Sequence, residues 1–224
     1  MNVIICNDYA YVRGGADLIP ILSAQSLADM GCNVVFFAGS GTQQSHLLNN
    51  KRIKVIRLND IDLSNPSSRL KSSLRLLWNN RSASSLNDLL KSFSPKNTVV
   101  HIHGWTKSLT MSLSSILSTQ GYQPVVTIHD YFLACPNGAF FDFKEKKICH
   151  RMPLSLSCIC ANCDSRAYTH KIWRVFRQFL QQNISRFPKN FKYFIFVSKY
   201  SQSLLQTFLP AHANSFLVKN PTVS

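Results

Sequence analysis

Seven short apolar runs, separated by stretches with helical periodicity, constrain the fold more than any other feature of this 224-residue sequence. They fall at residues 3–6, 34–37, 53–58, 99–102, 125–128, 193–197 and 216–218. Most are apolar on both faces and rich in β-branched or aromatic residues, as strands buried between two helical layers must be. In the first spacer Ile19, Leu22, Leu27 and Met30 recur near the helical period and Gly31 supplies a stop. Pro20 is expected in the first turn of that helix, where its missing N–H is not needed. Residues 69–93, 107–120, 165–184 and 200–208 read as further helices, and the polar break at 64–68 as a loop. Strands alternating with helices give an α/β, Rossmann-like, doubly wound parallel sheet.

Twenty-five Lys and Arg against ten Asp and Glu give a formal charge of +15. Such an excess attracts polyanions: nucleic acid, anionic lipid or a phosphorylated substrate. No apolar run approaches the roughly 20 residues that span a bilayer, and residues 3–6 are too short for the core of an export signal. The expected location is cytoplasmic, including a peripheral position on the inner face of the membrane. Cys6 and Cys32 lie in apolar segments and read as core thiols. The other five cysteines crowd into residues 135–163, which in a chain without an export signal favours metal over disulfides.

In a sheet of this kind ligands bind beyond the carboxyl ends of the strands, so function is sought after Cys6, Ile102, Ile128 and Val197. The first of these loops holds Arg13-Gly14-Gly15-Ala16-Asp17 directly before a helix. The two glycines admit close approach to backbone amides, and a helix N-terminus favours negative charge. It is not the dinucleotide fingerprint, and a plain tight turn explains it equally well. After two later strands come His101, His103 and Trp105, then His129-Asp130-Tyr131. Alternation along the strand points His101 and His103 the same way.

These pieces in this order resemble the N-terminal domain of family 4 glycosyltransferases, which have the GT-B fold of two facing Rossmann-like domains. The matching segments are GGADLIPILSAQSLADMGCNVVFFAG, VVHIHGW, PVVTIHDYFLACPNG, FIFVSKYSQSLL and VKNPTVS, covering essentially the whole chain. The resemblance implies one domain over residues 1–219 and the start of an interdomain hinge at 220–224. The donor-binding domain that follows in the family, with its paired glutamates, is absent; this sequence has a single glutamate, Glu145. By resemblance, Gly14 and Gly15 line the interdomain cleft near the donor phosphates or the acceptor. His129 sits near the transferred sugar as the catalytic candidate, with His103, Asp130 and Ser198 as further substrate-binding candidates. The implied activity is a retaining, nucleotide-sugar-dependent transfer without a catalytic metal, in cell-surface glycan or lipopolysaccharide biosynthesis. The chain would be inactive alone, needing a missing C-terminal domain or a partner chain of a split enzyme. Its ligands would be a nucleotide-sugar and a glycan or lipid-linked acceptor. A zinc-containing nucleic-acid-binding protein is a competing class, but no finger spacing or aromatic-basic recognition strand is present, and no nucleic acid partner is expected.

The insertion at 135–163 interrupts the α/β rhythm, and a loop of that length needs something to organise it. Four thiolates could close a structural zinc site; disulfides or free buried thiols are the alternatives. Cys135, Cys149 and Cys163 are the first candidates as ligands. Cys158 is the fourth, because a subset of the resembled family follows CPNG…ICH…C…NCDSR, with Cys160 or His150 as substitutes. Finally, Ile172, Val175, Phe176, Phe179, Leu180, Ile184 and Phe187 form a stripe, with Lys171, Arg174, Gln178 and Gln181 largely off it. Arg69, Lys71, Arg75 and Arg81 similarly border Leu70, Leu74 and Leu77. Each helix either packs its stripe on the sheet or lies on an anionic membrane surface; packing on the sheet is the expectation for each.

Overall fold

A computed structural model describes residues 1–41, 44–59 and 73–221. Seven strands form one wholly parallel sheet in the order β3-β2-β1-β4-β5-β8-β9. They are β1 (Asn2–Tyr9), β2 (Asn33–Ser40), β3 (Ile53–Arg57), β4 (Thr98–Ile102), β5 (Val125–Ile128), β8 (Tyr193–Phe196) and β9 (Asn214–Leu217). All seven expected strands are present, each within a few residues of its apolar run. The chain order reverses between β1 and β4, which is the topological switch point of the sheet.

Period-two alternation divides the core into two layers. Ile4, Cys6, Val35, Phe37, Val100, Ile102, Val126, Ile128, Phe194 and Phe196 share one face. They pack against α2 (Asn80–Leu90) through Leu86 and Leu90, and against α3 (Ser112–Thr119) through Leu113 and Leu117. Val3, Ile5, Val34, Phe36 and Ala38 point the other way, onto Ile21, Ala24 and Ala28 of α1 (Gly15–Asp29). Cys6 and Cys32 are buried thiols, as expected.

α1 ends where Gly31 predicts. Gly31 takes φ +90°, its N–H bonds to Ala28 O, and Cys32 N–H reaches back to Leu27 O, which together make a Schellman cap. Pro20 departs from expectation. It is the sixth residue of α1, beyond the four N-terminal positions whose N–H groups lack a helical partner, so the helix forgoes one ladder bond there.

The other spacers are shorter than the sequence suggests. The helix expected over 107–120 begins only at Ser112, because residues 106–110 form a turn with another task. The helix expected over 69–93 is described as α2 preceded by helical residues 73–75 and a turn at 76–77; Arg69, Leu70, Lys71 and the break at 64–68 lie outside the described residues, as do 222–224 of the expected hinge. The insertion holds a two-stranded ribbon, β6 (Phe141–Asp142) with β7 (Lys147–Ile148), and a short helix α4 (Leu156–Cys160). α5 (Tyr168–Asn183) follows, then α6 (Lys199–Leu205) with a 3-10 turn at Gln206–Phe208.

Candidate functional site

At the switch point the carboxyl ends of β1 and β4 diverge, and with the end of β5 they floor a solvent-open cleft of about 730 Å³. Its wall includes Gly14, His103, His129 and Asp130 of the expected site residues. It also includes Asn7, Asp8, Arg13, Asp17, Thr106 and Lys107.

Asp8 organises this floor. It is buried, and Oδ2 accepts the N–H groups of Thr106 and Lys107 at 2.9 and 2.8 Å. Oδ1 accepts those of Ser108 and Leu109 at 2.8 and 3.0 Å, and the Ser108 hydroxyl at 3.1 Å. One carboxylate thus satisfies four consecutive backbone donors and clamps the loop after β4 onto the end of β1. Gly104 permits the approach: a Cβ there would lie 2.5 Å from Asn7 Oδ1 and 3.2 Å from Asp8 N.

Behind this floor three imidazoles are linked across β4 and β5. The His101 and His103 rings lie 4.1 Å apart on one face, as alternation requires. His101 Nε2 bonds Thr127 Oγ1 at 2.8 Å, and His103 Nδ1 bonds His129 Nε2 at 3.0 Å. Burial is the main cause that lowers all three: His101 and His129 to about 4, and His103 well below its usual value. They are neutral at pH 7, so one partner of the His103–His129 bond must donate. His103 Nε2 is buried without a partner among the described residues. A proton on His103 Nδ1 leaves only an unfilled lone pair there, whereas the reverse arrangement strands an N–H donor at greater cost. This fixes His129 with its proton on Nδ1, a neutral donor at the cleft.

Asp130 is pushed up to about 6, chiefly by burial, while the Phe132 N–H and the charges of Arg177 and Lys107 pull the other way. Burial also lowers Lys107, helped by Arg177. Arg13 stacks over the Tyr9 ring at 4.4 Å. Gly14 is the N-cap of α1, in extended backbone and without a side-chain cap. A Cβ at Gly14 or Gly15 would meet nothing within 4 Å among the described residues, so no contact there demands glycine at either. Gly14 lines the cleft, whereas Gly15, the first residue of α1, is not among its lining residues.

Two further expectations are not met by the geometry. Ser198 is the N-cap of α6, accepting from Ser201 N–H at 3.0 Å and donating to Ser201 Oγ at 3.0 Å, and it does not line the cleft. The four cysteines do not share one site. Lys171, fully buried, sets its ammonium 3.1 Å from Cys163 Sγ and 3.5 Å from Cys158 Sγ. Cys135 Sγ donates to Asn137 Oδ1 at 3.0 Å, and Cys149 Sγ faces Arg151 at 3.6 Å. Among the described residues no three His, Cys, Asp or Glu side chains are grouped to hold a metal ion. Cys135, Cys149, Cys158 and Cys163 therefore do not fit a closed zinc site: a lysine ammonium stands beside two of the sulfurs where a cation would be. Burial alone would lower the Lys171 pKa, but its hydrogen bond to Cys163 and the nearby Cys158, Cys163 and Cys135 raise it instead. The insertion is further tied by Arg151–Asp142 at 2.9 Å and Arg174–Asp164 at 3.2 Å.

Asp8 and Lys107 escaped the sequence reading. The signal for Asp8 was its place two residues after Cys6 at the end of β1, an interior strand, where a buried acid must find donors.

The chain matches no family model and no relative among curated proteins. Solved structures do match. Apo UGT2 of Phytolacca americana superposes with a TM-score of 0.52 at 16% identity, over 100% of this chain and 52% of that one. The same protein complexed with UDP-2fluoro-glucose and pterostilbene gives 0.52 at 14% identity, over 98% and 53%. A UDP-glucosyltransferase from Polygonum tinctorium, capable of glucosylating indoxyl, gives 0.53 at 17% identity, over 100% and 53%. The chain spans about half the length of the solved structures it matches. The fold is therefore the one the resemblance implies, a single Rossmann-like domain matching one half of a GT-B glycosyltransferase. At these identities family 4 is not distinguished from other families of that fold.

Proposed function

We propose that this chain is the acceptor-side half of a nucleotide-sugar-dependent glycosyltransferase of the family 4 type. One observation carries the reading. Gly14, His103, His129 and Asp130, chosen from sequence, meet in a single open cleft at the switch point of a sheet whose matches include glycosyltransferases. The donor-binding half lies elsewhere, as a continuation of the same polypeptide or on a partner chain, and the chain alone is inactive.

In the mechanism His129, neutral and carrying its proton on Nδ1, donates a hydrogen bond to a hydroxyl of the transferred sugar. His103 holds that tautomer in place from behind. Arg13 and Lys107 supply positive charge to the cleft wall, and the uncapped amides at the start of α1 add partial positive charge near the donor diphosphate. Asp130, titrating near 6, stands on the same wall and accepts a hydrogen bond from an acceptor hydroxyl when ionised. Transfer proceeds with retention and needs no catalytic metal; positioning and stabilisation of the leaving diphosphate do the work, much of it from the second half. The acceptor belongs to cell-surface glycan or lipopolysaccharide biosynthesis, on the cytoplasmic side.

The test is release of nucleoside diphosphate from a panel of nucleotide-sugars, with this chain alone and joined to its donor-binding half. Turnover is expected only for the joined protein, with His129→Ala lowering kcat by about a hundredfold. Turnover by the isolated chain, or an unchanged kcat in the variant, would refute the assignment.

A further inference from the structure

α5 is folded inside out. Its buried residues are Lys171, Arg177, Gln178 and Gln181, while Ile172, Phe176 and Phe179 are 41%, 50% and 49% exposed, with Ile184 just past its end at 57%. The polar face is held inward by specific bonds. Gln178 and Gln181 donate to Leu133 O and Phe132 O at 3.1 and 3.0 Å, Trp105 Nε1 donates to Gln181 Oε1 at 3.0 Å, and Arg177 donates to Thr106 O at 3.3 Å. These contacts fix the rotation of the helix about its axis. The apolar stripe consequently faces out because the other face is committed.

The exposed charges from residue 165 onward have one sign. No Asp or Glu follows Asp164 in the sequence, while nine Lys and Arg do. Arg166 lies two residues before α5, and Arg186 and Lys189 follow it; all three are exposed. An apolar stripe bracketed by exposed cations, in a 60-residue stretch without an acid, complements a surface that is apolar inside and anionic at its boundary. No described helix is long and apolar enough to cross a membrane, so the stripe would lie in the interface.

We infer that α5 docks this domain on an anionic lipid surface, with Ile172, Phe176 and Phe179 inserted at the headgroup–acyl boundary and Arg166, Arg186 and Lys189 on the headgroups. The inner face of α5 touches the loops at Thr106 and Phe132, which follow β4 and β5, so docking brings the cleft close to the membrane. Resting on the transferase reading, that placement makes a lipid-carried acceptor the substrate class; the docking itself does not depend on it.

Flotation of the intact chain with phosphatidylcholine vesicles, and with vesicles containing about one third phosphatidylglycerol, tests this without any activity. Binding is expected to the anionic vesicles and to weaken at least tenfold on the neutral ones. Phe176→Ser with Phe179→Ser should lower it at least tenfold, and Arg166→Gln, Arg186→Gln and Lys189→Gln together should lower it in anionic vesicles alone. Circular dichroism and an unchanged urea midpoint confirm that the exposed-site variants remain folded. Equal binding to both vesicle types, or full binding by the Phe pair variant, overturns the inference. So does a homodimer in sedimentation that the Phe pair variant dissociates, since the stripe would then be a protein interface. Lipid binding without transfer by the complete enzyme would sink the transferase reading and leave the docking intact.

Discussion

Asp8→Asn tests the account of the cleft floor at a single pair of atoms. The amide replaces one carboxylate oxygen by NH2. In one orientation the NH2 group confronts the N–H groups of Thr106 and Lys107, in the other those of Ser108 and Leu109. Either way two donors lose their acceptor, part-buried at Thr106 and Lys107 or buried at Ser108 and Leu109, and the remaining bonds lose the charge that strengthened them. Hydrogen bonds to charged groups contribute about 1.5–3 kcal/mol each, so two of them, less some relaxation, come to about 4 kcal/mol. That is a large part of the roughly 5–15 kcal/mol typical of a folded domain. With a urea m-value of about 3 kcal/mol/M, the unfolding midpoint should fall by about 1.3 M at unchanged m. Asp88→Asn is the control: that carboxylate pairs with Lys91 at 2.7 Å but is 68% exposed, and its loss should not move the midpoint measurably. A midpoint for Asp8→Asn within about 0.3 M of the parent would show that the clamp contributes little, and would remove the argument that Asp8 shapes the cleft.

The histidine cluster makes stability depend on pH. His101 and His129 titrate near 4 when folded against 6.5 when free, so the unfolded chain binds more protons between those values. Their contribution is full above about pH 6.5 and is lost as pH falls toward 4. Asp130, raised to about 6 from 3.8, opposes this between about pH 4 and 6, so Asp130→Asn should steepen the acid loss seen in urea midpoints; a flat profile would contradict the buried neutral cluster. On the proposed transfer reading, His103→Phe in the protein joined to its donor-binding half should lower kcat with little change in KM, by less than His129→Ala does, because His103 acts through its neighbour; an equal loss in KM alone would count against that role. Lys171→Met keeps the aliphatic stem and removes the hydrogen bonds from the ammonium to Cys163 and Cys158, and should cost about 1–2 kcal/mol in urea unfolding. Stoichiometric zinc in the purified parent protein would overturn the reading of Lys171 as the cation among those sulfurs.

The sheet was legible because its strands are apolar on both faces, a pattern that needs no partner to be recognised. The C-terminus of α1 was legible because Gly31 carries a backbone conformation that other residues resist. His103 and His129 were legible as neighbours only through topology, which puts the ends of β4 and β5 side by side. What escaped depends on contacts between distant segments. Asp8 looks like an ordinary polar residue until the loop at 106–109 closes over it. The orientation of α5 was opposite to the expected packing, because Gln178 and Gln181 find carbonyl partners in the loop after β5 and Lys171 finds thiols in the insertion. Periodicity records that a helix has two faces, but the partners decide which one is inside. Ser198 was drawn toward the cleft by its place after β8, yet a serine directly before a helix is first of all a cap.

Strand β1 pairs through Asn2 with Asn33 on one side and with Thr98 on the other. During synthesis, β1, β2 and β3 can assemble early, while the far edge of β1 waits for a segment that emerges much later. Until then Val3, Ile4 and Ile5 present an open, apolar parallel edge of the kind that recruits other chains. Polypeptides ending before Thr98 should therefore be insoluble rather than partly folded, and the first three strands cannot be excised as an independent unit.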